Sequence, residues 1–263
     1  MLPETPKLTY ILRIEAPQTH YLEVEILLNL PGLALSADYT ELKMPVWTPG
    51  SYLVREYAKN VEGFRAWQTN GQGPASSGKL IKITWRIFGA KDRLVRISYQ
   101  VYAFELSVRH SFADASHAYV NGASVFMYLA EHPQLAALLH IQPPAGWMKM
   151  TTSLKAWQSN PWELYIPNYD TLVDSPIEVG NHDHFTFMAA DIPHQVAVYG
   201  LEAAHYDQAR LIRDFQAIVE ASLAIFGQHP SADYTFIVHF MAQGGGGWST
   251  GIRAAFSSPG KCL

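Results

Sequence analysis

Short runs of alternating apolar and polar residues, each closed by glycine, proline, asparagine or aspartate, limit what this chain can fold into more than any other feature of it. In LTYILRIEA, Leu8, Tyr10, Leu12 and Ile14 fall on one face of an extended chain, because side chains alternate across a strand with period two. HYLEVEILLNL repeats the pattern with Tyr21, Val24 and Ile26, and SGKLIKITWRIF with Leu80, Ile81, Ile83, Trp85 and Ile87. RLVRISYQVYAFEL follows after a turn at Gly89 to Asp92. The breaks LPGLAL, TNGQGPASSG and FGAKDR are rich in turn formers, and Asn70-Gly71 reads as a turn. Repeated short strands with polar breaks predict an antiparallel sandwich or saddle-like sheet.

The second half reads differently. KMTTSLKAW and HFTFMAADI are strand-like, and the stretch between them, Gln158 to Gly180, is rich in Pro, Asn and Asp. It is read as the linker, with a domain boundary near residue 166. HYDQARLIRDFQAIVEASLAIFG then carries Leu211, Phe215, Ile218, Val219, Ile225 and Phe226 mainly on one helical stripe, with Arg213, Asp214 and Glu220 elsewhere. Gly227 suits the residue after a helix, and Pro230 blocks its continuation. DYTFIVHFM returns to strand composition and leads into four consecutive glycines, Gly244 to Gly247. The fold class expected is α+β, a β-domain followed by helix plus sheet.

Composition removes several functions. The formal net charge of −4 and the lack of a basic stripe argue against nucleic acid as a partner. No run approaches the ~18 apolar residues of a membrane span, so no membrane partner is expected. The start, MLPETPKLTYILRIEAP, lacks the order of a secretory signal. The single Cys262 excludes an intramolecular disulfide. A cytoplasmic setting is expected.

No catalytic set is complete. The glycine run is not a phosphate loop, because Trp248-Ser249-Thr250 follows where a Walker loop needs lysine. A dinucleotide fingerprint needs glycine where Ser249 stands and a βαβ unit after it. His182 and His184, two apart, would share a strand face, yet no third ligand lies near in sequence, so a solvated turn and strand start is the favoured reading. None of the eleven histidines precedes a glutamate, which excludes His-Glu-x-x-His, the helix motif that holds zinc beside a general base. In MPVWTPGSYLVREYAKNVEGFRAW, Trp47, Tyr52 and Tyr57 read as core, and in HAYVNGASVFMYL, Asn121-Gly122 reads as a turn with Val125, Phe126 and Tyr128 as packing. Catalytic and metal-binding residues are therefore expected to be absent.

MPVWTPGSYLVREYAKNVEGF, YQVYAFELSVR, NGASVFMYL and HYDQARLIRDF, in this order, resemble the amino-terminal half of the glycyl aminopeptidases. These are zinc metallopeptidases of the gluzincin type with a thermolysin-like catalytic domain, related to the tricorn-interacting aminopeptidase factors. The resemblance runs from about residue 8 to Gly247. It implies a β-domain over residues 1–165, the first part of a thermolysin-like catalytic domain over 166–247, and an aberrant tail over 248–263. In the family a strand ending in glycines continues Gly-Gly-Gly-Leu-Glu-His. Its backbone lies along the substrate, and the glutamate receives the free amino group. Gly244, Gly245, Gly246 and Gly247 match as substrate-binding positions; Trp248, Ser249 and Thr250 do not.

A shifted reading frame would account for that departure. Were Gly247 to Ile252 encoded GGC-TGG-AGC-ACC-GGC-ATT, the same bases read from the last base of the first codon would give CTG-GAG-CAC-CGG-CAT, or Leu-Glu-His-Arg-His. The resemblance thus implies a fragment of a peptidase that would remove small amino-terminal residues. Zinc and peptide substrates belong to the intact family member, and the chain alone is expected to be inactive. Self-association through exposed catalytic-domain surface is also expected. The competing reading is a non-catalytic β-sandwich module that binds peptide or protein.

Overall fold

Burial in the first strand follows the alternation of its sequence. In β1 (Leu8–Arg13), Leu8, Tyr10 and Leu12 are buried and the residues between them are partly open. The computed structural model describes residues 6–48, 53–68, 74–200, 206–229, 231–241, 246–250 and 253–259. In β2 (Tyr21–Asn29) the buried face carries Leu22, Val24, Ile26 and Leu28. Tyr21 is odd-numbered and so faces the other way, with its hydroxyl donating to Glu62. The first sheet adds β4 (Val61–Gln68), β7 (Leu94–Tyr102), β11 (Ala137–Gln142), β13 (Lys155–Trp157) and β14 (Asn160–Ile166). Its order is β13-β14-β11-β1-β2-β7-β4, antiparallel except where β1 runs parallel to β11.

A second sheet, of β3 (Tyr39–Lys43), β5 (Ser77–Ile81), β6 (Thr84–Phe88) and β10 (Tyr128–Leu129), packs against the first through Leu42, Trp85 and Ile87. The sequence run SGKLIKITWRIF is here not one strand but a hairpin, β5 and β6, turning at Lys82 and Ile83. Its apolar residues continue straight through the turn, so periodicity could not mark it, and Leu80 and Ile81 are exposed. Trp47 is half exposed while Tyr57 is buried, and Tyr52 and Asn70-Gly71 lie outside the described residues.

The third sheet holds β8 (Phe112–Ala113), β9 (His117–Val120), β12 (Lys149–Thr152) and β15 (Ile177–Gly180), in the order β12-β15-β9-β8. Ala118, Val120, Ile177 and Val179 join the common core of all three sheets. Asn121-Gly122 starts a single helical turn, α1 (Gly122–Val125), in which the Asn121 side chain accepts from Ala123 N–H as N-cap. Gly122 is required there: a Cβ would lie 2.7 Å from the carbonyl oxygen of Leu172, in α2 (Tyr169–Val173). Three buried tyrosines grip the chain leaving α1. Tyr99 donates to the carbonyl of Val125, Tyr169 to that of Phe126, and Tyr10 to that of Met127, at 2.7 to 2.9 Å. Burial pushes all three hydroxyls well above the ordinary tyrosine range, so they stay protonated donors.

Gln158 to Gly180, read from composition as a linker, contains β14, α2 and β15 and so completes two sheets of the β-domain. The change of sheet comes between Gly180 and Asp183. There β16 (Asp183–Ala189) and β17 (Ile192–Tyr199) form a hairpin, and α3 (Gln208–Phe226) crosses to β18 (Tyr234–Met241), parallel to β17. β19 (Gly246–Thr250) and β20 (Arg253–Pro259) finish this fourth sheet, in the order β16-β17-β18-β20-β19. Asp207 caps α3 by accepting from Arg210 N–H, and Gly227 ends it with φ of 77°. Phe215 and Val219 pack on Phe187 and Phe236. Ile218, Ile225 and Phe226, placed by pattern on the same stripe, are 58–77% exposed, because one sheet covers only a narrow arc of the helix. No helix among the described residues is long and apolar enough to cross a membrane.

Tyr99 is the most heavily used of the three pegs, since its hydroxyl also accepts from Met127 N–H. Tyr99→Phe strands a buried carbonyl and a buried N–H together. A loss of about 2–6 kcal/mol is expected, at roughly 1–3 per unsatisfied group, read in urea as a lower midpoint with an unchanged slope.

Candidate functional site

β18 is buried nearly throughout because both of its faces are covered. Phe236, Val238 and Phe240 face α3 with Val196 and Val198 of β17. Ile237 turns the other way, packing with Ala197 against Val108 and Tyr119 of the β-domain. By the same alternation His239 points toward the third sheet. There, Ala118 and Val120 of β9 face the domain core, leaving His117 and Tyr119 toward β18; on β15, Ile177 and Val179 face the core and Glu178 faces β18.

These three residues meet. Glu178 accepts from His117 Nδ1 at 2.6 Å through one carboxylate oxygen and from His239 Nε2 at 2.8 Å through the other. Their side chains are at most 4% exposed, and Glu178 is fully buried. Tyr199 stacks on His117 with ring centroids 3.5 Å apart, and its hydroxyl meets Ser116 Oγ at 2.6 Å. Asp114 accepts from the backbone N–H of Ser116 and of His117. Gly180 lies opposite His117 in the ladder, and a Cβ there would press on the Cβ of His117 at 3.1 Å.

The electrostatics follow from this geometry. Burial alone pushes the Glu178 carboxyl up, but the charges of His239 and His117 and their hydrogen bonds outweigh it and bring the pKa down to about 2. Beside the trio, burial drives the His182 imidazole down to about 4, against the pull of Glu178. His182 Nε2 lies 2.8 Å from Thr151 Oγ1, whereas His184 is exposed beside Gln195. The two histidines that the sequence placed on one strand face thus go to different partners.

His117, Glu178 and His239 are the one group of three ligand-type side chains found close together among the described residues, their donor atoms within 4.8 Å of one another. They do not fit a catalytic zinc. Such a site keeps an open position for water, whereas these side chains are at most 4% exposed and both carboxylate oxygens accept from imidazole nitrogens. What the arrangement does chemically is hold a carboxylate ionised between two sheets. Of the positions expected to bind substrate, Gly246 and Gly247 lie in β19, paired with Ser257 and Phe256, and Gly244 and Gly245 fall outside the described residues.

Nothing local in the sequence marks the trio. Each member is a lone polar residue in an apolar strand, SHAYV, PIEVG and FIVHF. That signal means a buried group needing a partner, but successive members are 61 residues apart and nothing local links them.

Because the folded-state pKa of Glu178 is depressed, its contribution to stability is complete above the ordinary carboxylate value of 4.5 and is lost as pH falls toward about 2. In denaturant titrations the stability gap between the wild type and Glu178→Gln is expected to shrink steadily over that window. A constant gap would contradict the assignment.

Comparison with known proteins agrees with this architecture. The model of the peptidase M61 N-terminal domain matches residues 9–181, ending where the fourth sheet begins. Among solved structures, the chain is similar to an aminopeptidase N family protein from Idiomarina loihiensis, with a TM-score of 0.86 and 27% identity over 95% of this chain and 42% of that one. It shares a fold with an M1 zinc metallopeptidase from Deinococcus radiodurans, with a TM-score of 0.51 and 12% identity over 92% of this chain and 57% of that one. A mutant of an M1 zinc metallopeptidase from the same organism, bound to a Tyr-Ser-Ala substrate, gives 0.51 and 14% over 92% and 58%. The chain therefore spans less than two thirds of the length of each. No curated protein sequence matches. With more than half of its 263 residues inside the family model, the chain belongs to the peptidase M61 N-terminal domain family.

Proposed function

We propose that this chain is the amino-terminal portion of a glycyl aminopeptidase-like zinc metallopeptidase that removes small amino-terminal residues from peptides. The observation that carries the reading is the continuation past the family domain. A hairpin, a crossover helix and a two-sided strand follow Gly180 and run into the glycines at Gly244 to Gly247. The likeness to the Idiomarina protein extends over 95% of the chain, and so includes most of this continuation. On this reading β16 to β18 and α3 are the beginning of a thermolysin-like catalytic domain, and the partition is best drawn at the change of sheet near residue 181.

The glycine segment is the part of the chain that would touch substrate. Glycine lets a peptide backbone come close because no Cβ intervenes. The glutamate that would pair with the substrate ammonium is supplied, on the same reading, by the alternative frame after Gly247. Zinc, where bound, would polarise the scissile carbonyl and activate water. This sequence has no His-Glu-x-x-His to hold it, so no step is assigned to the present residues.

Two measurements test the reading. Glycyl and alanyl chromogenic substrates with added zinc are expected to show no turnover by this chain; chelator-sensitive hydrolysis would overturn the assignment of inactivity. The coding DNA is expected to give Leu-Glu-His directly after Gly247 in a shifted frame and His-Glu-x-x-His further on. Codons incompatible with both would remove the peptidase reading.

A further inference from the structure

The glycines begin three residues after β18 ends at Met241, and His239 is two residues before that end. Whatever fixes His239 therefore fixes the point from which the glycine segment departs. β18 is tied to the β-domain at both ends of its inner face. Near its start, Gln195 donates to Thr235 Oγ1 at 2.9 Å and to the carbonyl of Thr152 at 2.8 Å. Near its end the tie is Glu178, which holds His239 from one oxygen and His117 from the other. Tyr199 is the partner of His239 in the β17–β18 ladder and stacks on His117, so the end of β17 rests on His117 and the end of β18 on Glu178, to which His117 is itself hydrogen-bonded.

We infer that Glu178, with His117, is a positioning residue that seats the end of β18 on the β-domain and so sets where the substrate-lining glycine segment begins. The inference rests on the peptidase reading for the role of the glycines, but not for the joint itself. Apolar contacts at Ile237, Ala197 and Tyr119 would tolerate sliding, because dispersion and burial are not directional. A fully buried carboxylate with donors on two sheets accepts one arrangement. Losing it leaves uncompensated groups in a dry interface. Among the described residues, the other titratable groups beside the trio are Asp114, Tyr119, His182 and Tyr199, with Lys149 and His184 beyond them next to His182. Of these only Asp114 adds negative charge near His117, and Ser116 engages it.

Hydrogen exchange on the 263-residue chain tests the joint without any need for activity. In Glu178→Gln, protection factors at 238–241 are expected to fall about tenfold or more, while those of β2 and β7 stay within about twofold. Glutamine keeps the shape of the side chain and removes its charge. In the wild type, protection at 238–241 is expected to weaken relative to β7 as pH falls from 5 toward about 2 and Glu178, held between two donors, takes up a proton. The variant, with no carboxylate to protonate, is expected to be flat. The wild-type arm stands even if the variant does not fold.

A uniform loss of protection in every strand of the variant would make Glu178 a general stabiliser and overturn the inference. So would unchanged protection at 238–241 together with a flat wild-type profile. Saturable zinc binding abolished by Glu178→Gln would also overturn it, by making the trio a ligand set. Should the shifted frame prove absent while the localised loss is observed, the joint stands and only its link to a substrate segment falls.

Discussion

A carboxylate cut off from water has to be met by donors, and Glu178 finds one on its own sheet and one on the sheet beyond. That requirement couples two parts of the molecule that otherwise have separate cores. The β-domain buries one large continuous cluster over its three sheets, and β16 to β18 bury a smaller aromatic cluster under α3. Between them lies a thin apolar contact, Val108, Tyr119, Ala197 and Ile237. An isolated buried charge costs several kcal/mol. The seating of the fourth sheet is therefore enforced by the penalty for leaving Glu178 without His239.

For the joint to act as a reference point, its β-domain half must itself be fixed. His117 opens β9, and β9 runs directly into α1. The residues that follow are held by hydroxyls from three different elements, Tyr10 on β1, Tyr99 on β7 and Tyr169 on α2. Each hydroxyl satisfies a backbone carbonyl that a buried loop would otherwise leave orphaned. Gly122 lets α1 approach α2 closely enough for this to happen. The position of His117 is thus inherited from the core of the β-domain through a short stretch of chain held by these three hydroxyls.

How much of this could be read from the sequence depends on how local the cause is. β1 and β7 were legible because one face of each is buried and the alternation is clean, as in Val95, Ile97, Tyr99 and Val101. α3 was legible at its carboxyl end, where Gly227 does local chemistry, but not on its surface. Ile218 and Ile225 match the helical period, and which apolar residues are covered depends on the neighbouring sheet. The β5–β6 hairpin was hidden by Ile81, which precedes its turn, and Ile83, which lies within it. The linker composition of Gln158 to Gly180 misled because Pro, Asn and Asp there serve caps and strand ends, as Asn168 does in accepting from Thr171 N–H. The trio was invisible for the opposite reason: its cause is tertiary, and its members are ordinary residues until the sheets meet.

The two-sided burial of β18 explains why a polar joint belongs at that place. A strand with one wet face reports a slip at once, since moving by one residue exchanges its buried and exposed sets. β18 has no wet face in its middle. Phe236, Ile237 and Val238 are all apolar and all buried, so a slipped strand would still bury oil on both sides. Thr235 and His239 break that degeneracy. In the observed register Thr235 meets Gln195 and His239 meets Glu178. Shifted by one residue, His239 would enter the aromatic cluster under α3, and Phe240 or Val238 would face a carboxylate. The ends of the strand thus specify the register that its centre leaves open. The end nearer the glycines carries the more costly mismatch, since it sets a charge rather than a hydroxyl against oil.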